Sequence, residues 1–415
     1  MMRSLSMAIA SLRNHQTFMD VISSNIANVN TTGYKTARVQ FQELLSQTIR
    51  GSSAPRGGLG GLNPVQISLG MALGGIDTFF TQGSLKDTGR LTDLAIQGDG
   101  FFVLNTGDGY AYARDGNLDV GLDGSLLHLT TGLKIQGWSA DPNTGAIDTT
   151  QPIGNINVPL GQRIARATSV MDLQGNVDAS TAIGDSVSSR MTIYDSLGTE
   201  HEIMLTMTKS SANTWDWSVS DPNAGSSEIT SISNNSGTVT YDANGIFLSS
   251  TPAAGTIPHL TFSTGADPAD ITLDFTDLTQ LVGYGDISVS NQDGLPPGSL
   301  TTFTMSTFGE VNGVYSNGLT RRLGQIAIAK FLNPGGLQKK GQSLFAPSAN
   351  SGSAQIGLPG QDGRGQISSG YLEMSNVDLA QQFTSMITAE RGFQANSRVI
   401  TASDQMLQEL VNLIR

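Results

Sequence analysis

The chain has 415 residues, of which 38% are apolar and 14% charged, with a net charge of −12 and a pI near 4.7. That length accommodates two or three domains, each with its own core. The acidic balance leaves no basic face for nucleic acid or an anionic membrane surface. With no cysteine, a disulfide framework and a thiolate metal site are excluded. No stretch approaches the roughly 18 apolar residues of a membrane helix, so no membrane insertion is expected. The opening MMRSLSMAIASLRNHQ is too short in apolar residues for a cleavable secretory signal, so any export is expected to proceed without one.

Glycine and proline divide the chain. All 14 prolines lie between Pro55 and Pro359, and 47 of the 49 glycines fall between the two terminal stretches 1–50 and 371–415, which hold only Gly33 and Gly392. These residues break helices and punctuate turns, so the ends read as helical and the middle as turn-rich β structure. The ends carry few charges, leaving most of the acidic excess to the middle.

From the N-terminus, Leu5, Leu12, Met19 and Ile26 keep a seven-residue apolar row, and Ala8, Ile22 and Val29 most of a second, which His15 interrupts. Such a row marks a narrow coiled-coil seam rather than the broad face of a core helix. The segment then runs into SSNIANVNTTGYK (23–35), whose chemistry suits a sharp helix end. Asn28, Asn30 and Gly33 tolerate positive φ, and Thr31 and Thr32 can bond nearby backbone groups. Residues 51–75, with eight glycines and two prolines, read as an extended connector or long loop.

Short strands follow. Asp115-Gly116 and Asp123-Gly124 read as hairpin turns between YAYAR, NLDV and SLLHL. MTIYDSLGTEHEIMLTMTK (191–209) places a turn at Asp195–Gly198 and then alternates Ile203, Leu205 and Met207. TVTYDANGIFLSS repeats the pattern around Asn244-Gly245. Regular short strands of this kind predict antiparallel β domains, barrels or sandwiches. At the C-terminus, Leu379, Met386, Phe393, Ile400, Leu407 and Ile414 repeat every seven residues, with smaller or polar Ala389, Asn396 and Ser403 between them. Helices with so narrow a seam are marginal alone and order on packing, first with each other and then with neighbouring subunits.

Catalytic signatures are missing. His15, His128, His201 and His259 are scattered and form no HxxxH or HExxH pair. No glycine directly precedes a lysine as a P-loop requires, Gly98-Asp99-Gly100 lacks the third glycine of a dinucleotide fingerprint, and no serine is flanked as in a nucleophile elbow. Asp115, Asp119 and Asp123 lack the closing glutamate of a calcium loop. The expectation is no enzyme, no cofactor and no metal; a glycosidase could hide two remote carboxylates in a β domain, but no residue pattern selects such a pair.

On SSNIANVNTTGYK, on TQGSLKDTGRLTDLAIQGDGFFVL (81–104), on YSNGLTRRLGQIAIAKFLNPGGLQKKGQSLFAPSANSG (315–352) and on the segment from Gly370 to Arg415, the chain resembles the bacterial flagellar axial (rod and hook) protein family. YDSLGTEHEIMLTMTK and the overall length are most similar to its hook members. The resemblance implies a mainly β fold with terminal α-helices in nested, discontinuous domains. Residues 1–30 and 376–415 would be coiled-coil helices of the inner tube, 31–85 and 353–375 a connector, 86–160 and 291–352 an inner β domain, and 161–290 an outer β-barrel or sandwich. It also implies a homopolymeric, curved hollow tube outside the cell that transmits torque as a universal joint and conducts exported subunits. Its partners would be other copies, the distal rod, hook cap and hook–filament junction proteins, and the flagellar type III export apparatus. Leu5, Leu12, Met19, Ile22, Ile26, Leu379, Met386, Phe393, Ile400, Leu407 and Ile414 would form the polymerisation seam. Asn25, Asn28, Asn30, Thr31, Gly33, Tyr34 and Lys35 would hold the helix exit. The competing expectations are a sibling axial component (distal rod or junction protein) and, more remotely, a secreted β-rich adhesin or glycosidase.

Overall fold

A computed structural model describes residues 2–55, 60–142, 144–224, 228–252 and 258–413. It is mainly β, with one long helix at each end: α1, Met2–Ala27, and α2, Leu379–Leu413. The chain separates into two compact units. The first comprises 1–158, 304–312 and 322–415; the second comprises 159–303 and 313–321. Both helices, and with them every candidate site residue, belong to the first unit.

In the first unit α1 and α2 pair antiparallel. Asn25 faces Gln382, His15 faces Gly392 and Ser11 faces Asn396, so equal steps run in opposite directions along the two helices. Directly after α1 the chain forms a long two-stranded arm. Ala37–Glu43 pairs with Met71–Thr78, and Ser46–Arg50 continues the ribbon with Val65–Ser68. Of residues 51–75, expected as an extended connector or long loop, 65–68 and 71–75 contribute the return strand of a hairpin, with Gly74 and Gly75 within it, while 56–59 lie outside the described residues. The glycines do not prevent pairing because the arm's opposite strand supplies the β-forming Val39, Phe41 and Ile49. Its base packs on α1 through an edge-to-face contact of Phe18 with Phe41, ring centroids 5.7 Å apart, and through a 2.8 Å bond from Asn14 Nδ2 to the Met71 carbonyl.

The body of this unit is built from short antiparallel strands, including Leu94–Gln97 with Gln366–Ser369 and Leu85–Asp87 with Tyr371–Glu373. These pairings bring the segment before α2 onto strands laid down soon after α1. Phe80, Phe101, Tyr112, Phe331 and Phe345 interlock edge-to-face at 4.8–5.8 Å, the geometry that aromatic quadrupoles favour. Asp123-Gly124 makes its hairpin, joining Leu118–Val120 to Leu126–His128. Asp115-Gly116 does not, since Tyr110–Ala113 pairs elsewhere. Gly116 instead lies under strand Leu94–Gln97, where a Cβ would come 1.9 Å from the Leu94 carbonyl oxygen. Asp115 lies against the buried His128, Oδ2 to Nε2 3.3 Å. A turn dipeptide does not distinguish a hairpin from a close backbone crossing.

In the second unit a five-stranded antiparallel sheet, from Ser186–Tyr194 to Phe247–Thr251, shares one core with two three-stranded sheets. The turns at Asp195–Gly198 and Asn244-Gly245 join paired strands as expected. Ile203, Leu205 and Met207 alternate inward against Trp215, Trp217, Leu273 and Phe275. Not every pairing is antiparallel: Val170–Asn176 runs parallel to Thr272–Thr279, a match that short-range turn signals do not reveal. Among the described residues no closed barrel forms, and the stacked sheets make this a sandwich-like unit.

Candidate functional site: the paired terminal helices and their exit

The side of α2 that faces α1 is lined by small and polar residues. Ser385, Ala389, Gly392, Asn396 and Ser403 are buried or half-buried at helical spacing. Gly392 is the point of tightest approach: a Cβ there would lie 2.6 Å from His15 Cε1. This contact explains the one glycine in α2, and it accommodates the histidine that interrupts the N-terminal apolar row. Burial lowers the His15 pKa, and its Nδ1 is buried without a hydrogen-bond partner.

The candidate seam residues divide between two environments. In α1, Ile22 is buried, while Leu5, Leu12, Met19 and Ile26 are half-buried. In α2, Met386, Ile400 and Leu407 are half-buried, whereas Leu379 and Phe393 are exposed. Ile414 lies outside the described residues. The intrachain contact thus runs along the small residues between the heptad positions, and large apolar side chains remain bare. Phe383 is 51% and Ile387 52% exposed, with Val399, Met406, Leu410 and Val411 also exposed. The heptad row alone does not single out Phe383 and Ile387. Their signal is the second apolar register that a helix with two contact faces carries.

The exit from α1 depends on side-chain bonds more than on unusual backbone. Asn25 is buried and fully engaged: its Nδ2 donates to the Ala37 carbonyl (2.8 Å) and Gln382 Oε1 (3.0 Å), and its Oδ1 accepts from Ala37 N (3.0 Å) and Tyr34 OH (3.1 Å). One residue therefore ties α1, the arm and α2 together. Of the three positions expected to take positive φ, only Gly33 does, at +66°. Asn28 instead bonds back from Nδ2 to the Ser24 carbonyl, 2.8 Å, and its Oδ1 accepts from Thr31 Oγ1, 3.1 Å. Asn30 is exposed. At Gly33 a Cβ would sit 2.7 Å from Asp115 N, so both the conformation and the space require glycine.

Lys35 finds a partner that the linear sequence conceals. It is 1% exposed, and its Nζ donates to Glu373 Oε1 (2.6 Å) and the Thr81 carbonyl (2.8 Å). Arg114 Nε reaches Glu373 Oε2 at 2.5 Å, and its Nη atoms donate to the carbonyls of Ile96, Gly98 and Gly100. Gly83 N also donates to Glu373 Oε1 at 2.8 Å. Burial pushes the Lys35 pKa down while Glu373 opposes that shift. The cluster clamps the chain just after α1 to the chain just before α2. Asn376 adds a polar knot, accepting from Thr36 N and donating to Phe79 O and to both Thr81 oxygens. Asp378 then caps α2, its Oδ1 accepting from Ala380 N and Gln381 N. Sequence reasoning missed Glu373, Arg114 and Asn376.

Among the described residues there is no group of three or more His, Asp or Glu placed to hold a metal ion. Among the described residues no helix is long and apolar enough to cross a membrane. The architecture is that of a subunit with its ends brought together and large apolar side chains left bare.

Comparison with known proteins places that architecture. Residues 7–35 match the flagella basal body rod protein family, 95–179 the flagellar hook protein FlgE/F/G D1 domain, 164–295 the flagellar basal body protein FlaE D2 domain, and 368–413 the flagellar basal body rod FlgEFG protein C-terminal family. Flagellar hook protein FlgE of Borreliella burgdorferi is 39% identical and that of Treponema pallidum 36%, each aligned over 100% of both chains. Flagellar basal-body rod protein FlgG of Bacillus subtilis is 32% identical, also over 100% of both. The chain belongs to the flagellar hook protein family.

Proposed function

We infer that this chain is a structural subunit of the bacterial flagellar hook, polymerising into a hollow, curved tube that passes motor torque to the filament. Its layers would follow the expected domain boundaries, with 1–30 and 376–415 at the tube wall and 161–290 outermost. The observation that carries the reading is the row of bare apolar side chains on α2, from Leu379 and Phe383 to Val411, which the chain's own α1 does not cover. Exposed apolar surface of that length is stabilised by burial against other copies. The second unit supports the same division of labour, since 159–303 and 313–321 hold sixteen Asp and Glu against five Lys and Arg. Like-charged outer units repel, so cohesion falls to the nearly neutral helices while the outer units slide as the tube bends.

The same reading gives the remaining contacts. Other copies are the main partner, with the distal rod, hook cap and junction proteins at the tube's ends, and export proceeds through the flagellar type III apparatus to a position outside the cell. The role is structural rather than enzymatic. Heterologous contacts that do not close generate such a polymer. A second reading, a distal rod component, draws on the full-length similarity to the Bacillus subtilis rod protein. Electron microscopy of the purified, polymerised subunit separates the two: curved tubes are expected, straight ones would favour the rod, and a chain that stays monomeric under all polymerising conditions would refute both.

A further inference from the structure

The register of the helix pair leaves α2 longer than its partner. With Ser11 opposite Asn396 and His15 opposite Gly392, Met2 stands opposite residue 405, so residues 406–413 run on beyond α1 for about 12 Å at 1.5 Å per residue. The character of the helix changes there. Where α1 covers it, α2 sets the small Ser385, Ala389, Gly392 and Ser403 beside the half-buried Met386 and Ile400; past the end of α1 it offers Met406, Leu407, Leu410 and Val411 with no small residue between them. Val411 is 65% exposed. The contact face continues, but its covering helix has stopped.

A complementary hollow lies on the same unit. A groove of about 340 Å³ is lined by Ser4, Met7 and Ala8 of α1, Gly70 and Met71 of the arm, and Val399 of α2. Its small residues leave room for large ones, and its methionines supply an adaptable apolar lining. Among the described residues that line it, none is charged.

We propose that the overhanging end of α2 in one copy seats its large side chains, Met406, Leu410 and Val411, in the Ser4–Ala8–Gly70 groove of a second copy. This rests on the hook reading and deepens it by naming which surfaces meet. The donor and acceptor surfaces differ, so the contact is heterologous and repeats without closing. Residues 406–411 lie about ten residues from the groove's own α2 position, so successive copies are displaced by about 15 Å along the helices. The contact also assigns the arm a role, since Gly70 and Met71 complete the groove only once the arm has folded onto α1.

The chain has no cysteine, which makes the test direct. Ser4→Cys and Val411→Cys are introduced together, the protein is polymerised, oxidised, and run on a non-reducing denaturing gel. Within one chain residue 4 stands opposite residue 403, so residue 411 is about 12 Å further along and beyond the roughly 7 Å Cα–Cα reach of a disulfide. The expected result is a ladder of covalent multimers from the double variant only. Met7→Cys with Val411→Cys provides a second pair should Ser4→Cys impair assembly. Well-formed polymers of either pair that yield no ladder would overturn this inference and leave the hook reading standing. A parent chain that never polymerises would overturn both.

Discussion

Replacing Glu373 by glutamine removes the one carboxylate shared by Lys35 and Arg114 while keeping the side chain's size. In the parent that carboxylate accepts from Lys35 Nζ, Arg114 Nε and Gly83 N, all within 2.8 Å, and Lys35 and Arg114 are 1% and 4% exposed. Two buried cations would lose their counter-charge at once. Breaking a buried ion pair by removing one partner costs about 3–5 kcal/mol, far more than the pair contributes relative to an apolar replacement. For a body of this size, that corresponds to a fall in melting temperature of about 6–20 °C. Calorimetry of the Glu373→Gln chain measures it, and hydrogen exchange in strand Leu94–Gln97, whose Ile96 carbonyl holds Arg114, should accelerate. Lys35→Met combined with Glu373→Leu should recover part of the loss, because it removes a stranded cation together with the carboxylate. A Glu373→Gln chain that melts within 2 °C of its parent would refute the claim that this cluster clamps the helix exit.

Gly33→Ala should cost roughly 2 kcal/mol or more, because alanine meets both positive φ and the Asp115 backbone; denaturant unfolding reads it, and an unchanged midpoint would contradict the geometry. Asn25→Ala should cost about 2–3 kcal/mol by orphaning buried partners on the arm and on α2, with faster exchange at the Ala37 amide as its signature. Phe383→Ser and Ile387→Ser should leave the unpolymerised chain's stability within about 0.5 kcal/mol, since both sites are exposed, yet raise the critical concentration for assembly at least about tenfold. His15, with its pKa lowered by burial from the ordinary 6.5, binds its proton more tightly when the helices come apart. Its stabilising contribution is therefore complete above pH 6.5 and lost as pH falls through the lowered value; helical circular dichroism between pH 7.5 and 5 should show this, and His15→Gln should abolish it.

The sequence by itself determined the local choices. Sparse glycine and proline mark the helices 2–27 and 379–413, dense ones mark the β middle, and turns such as Asp195–Gly198 sit where their residues require; residues 37–50, equally poor in glycine and proline and expected to be helical, are strands instead because 65–78 pair with them. These follow from backbone stereochemistry and short-range periodicity, which act over a few residues. Gly33 was legible for the same reason, as a position that only glycine fills comfortably. Tertiary structure decided what depends on meetings across hundreds of residues. It turned residues 65–68 and 71–75 of the glycine-rich stretch into arm strands by supplying residues 37–50 as a partner. It placed Gly392 against His15, so that small residues of α2 line the contact with α1 while Phe383, Ile387 and Val399 stay exposed. It paired Lys35 with Glu373, 338 positions away. A buried charge looks the same as a solvated one in a linear chain, because its counter-ion and its distance from water exist only after folding.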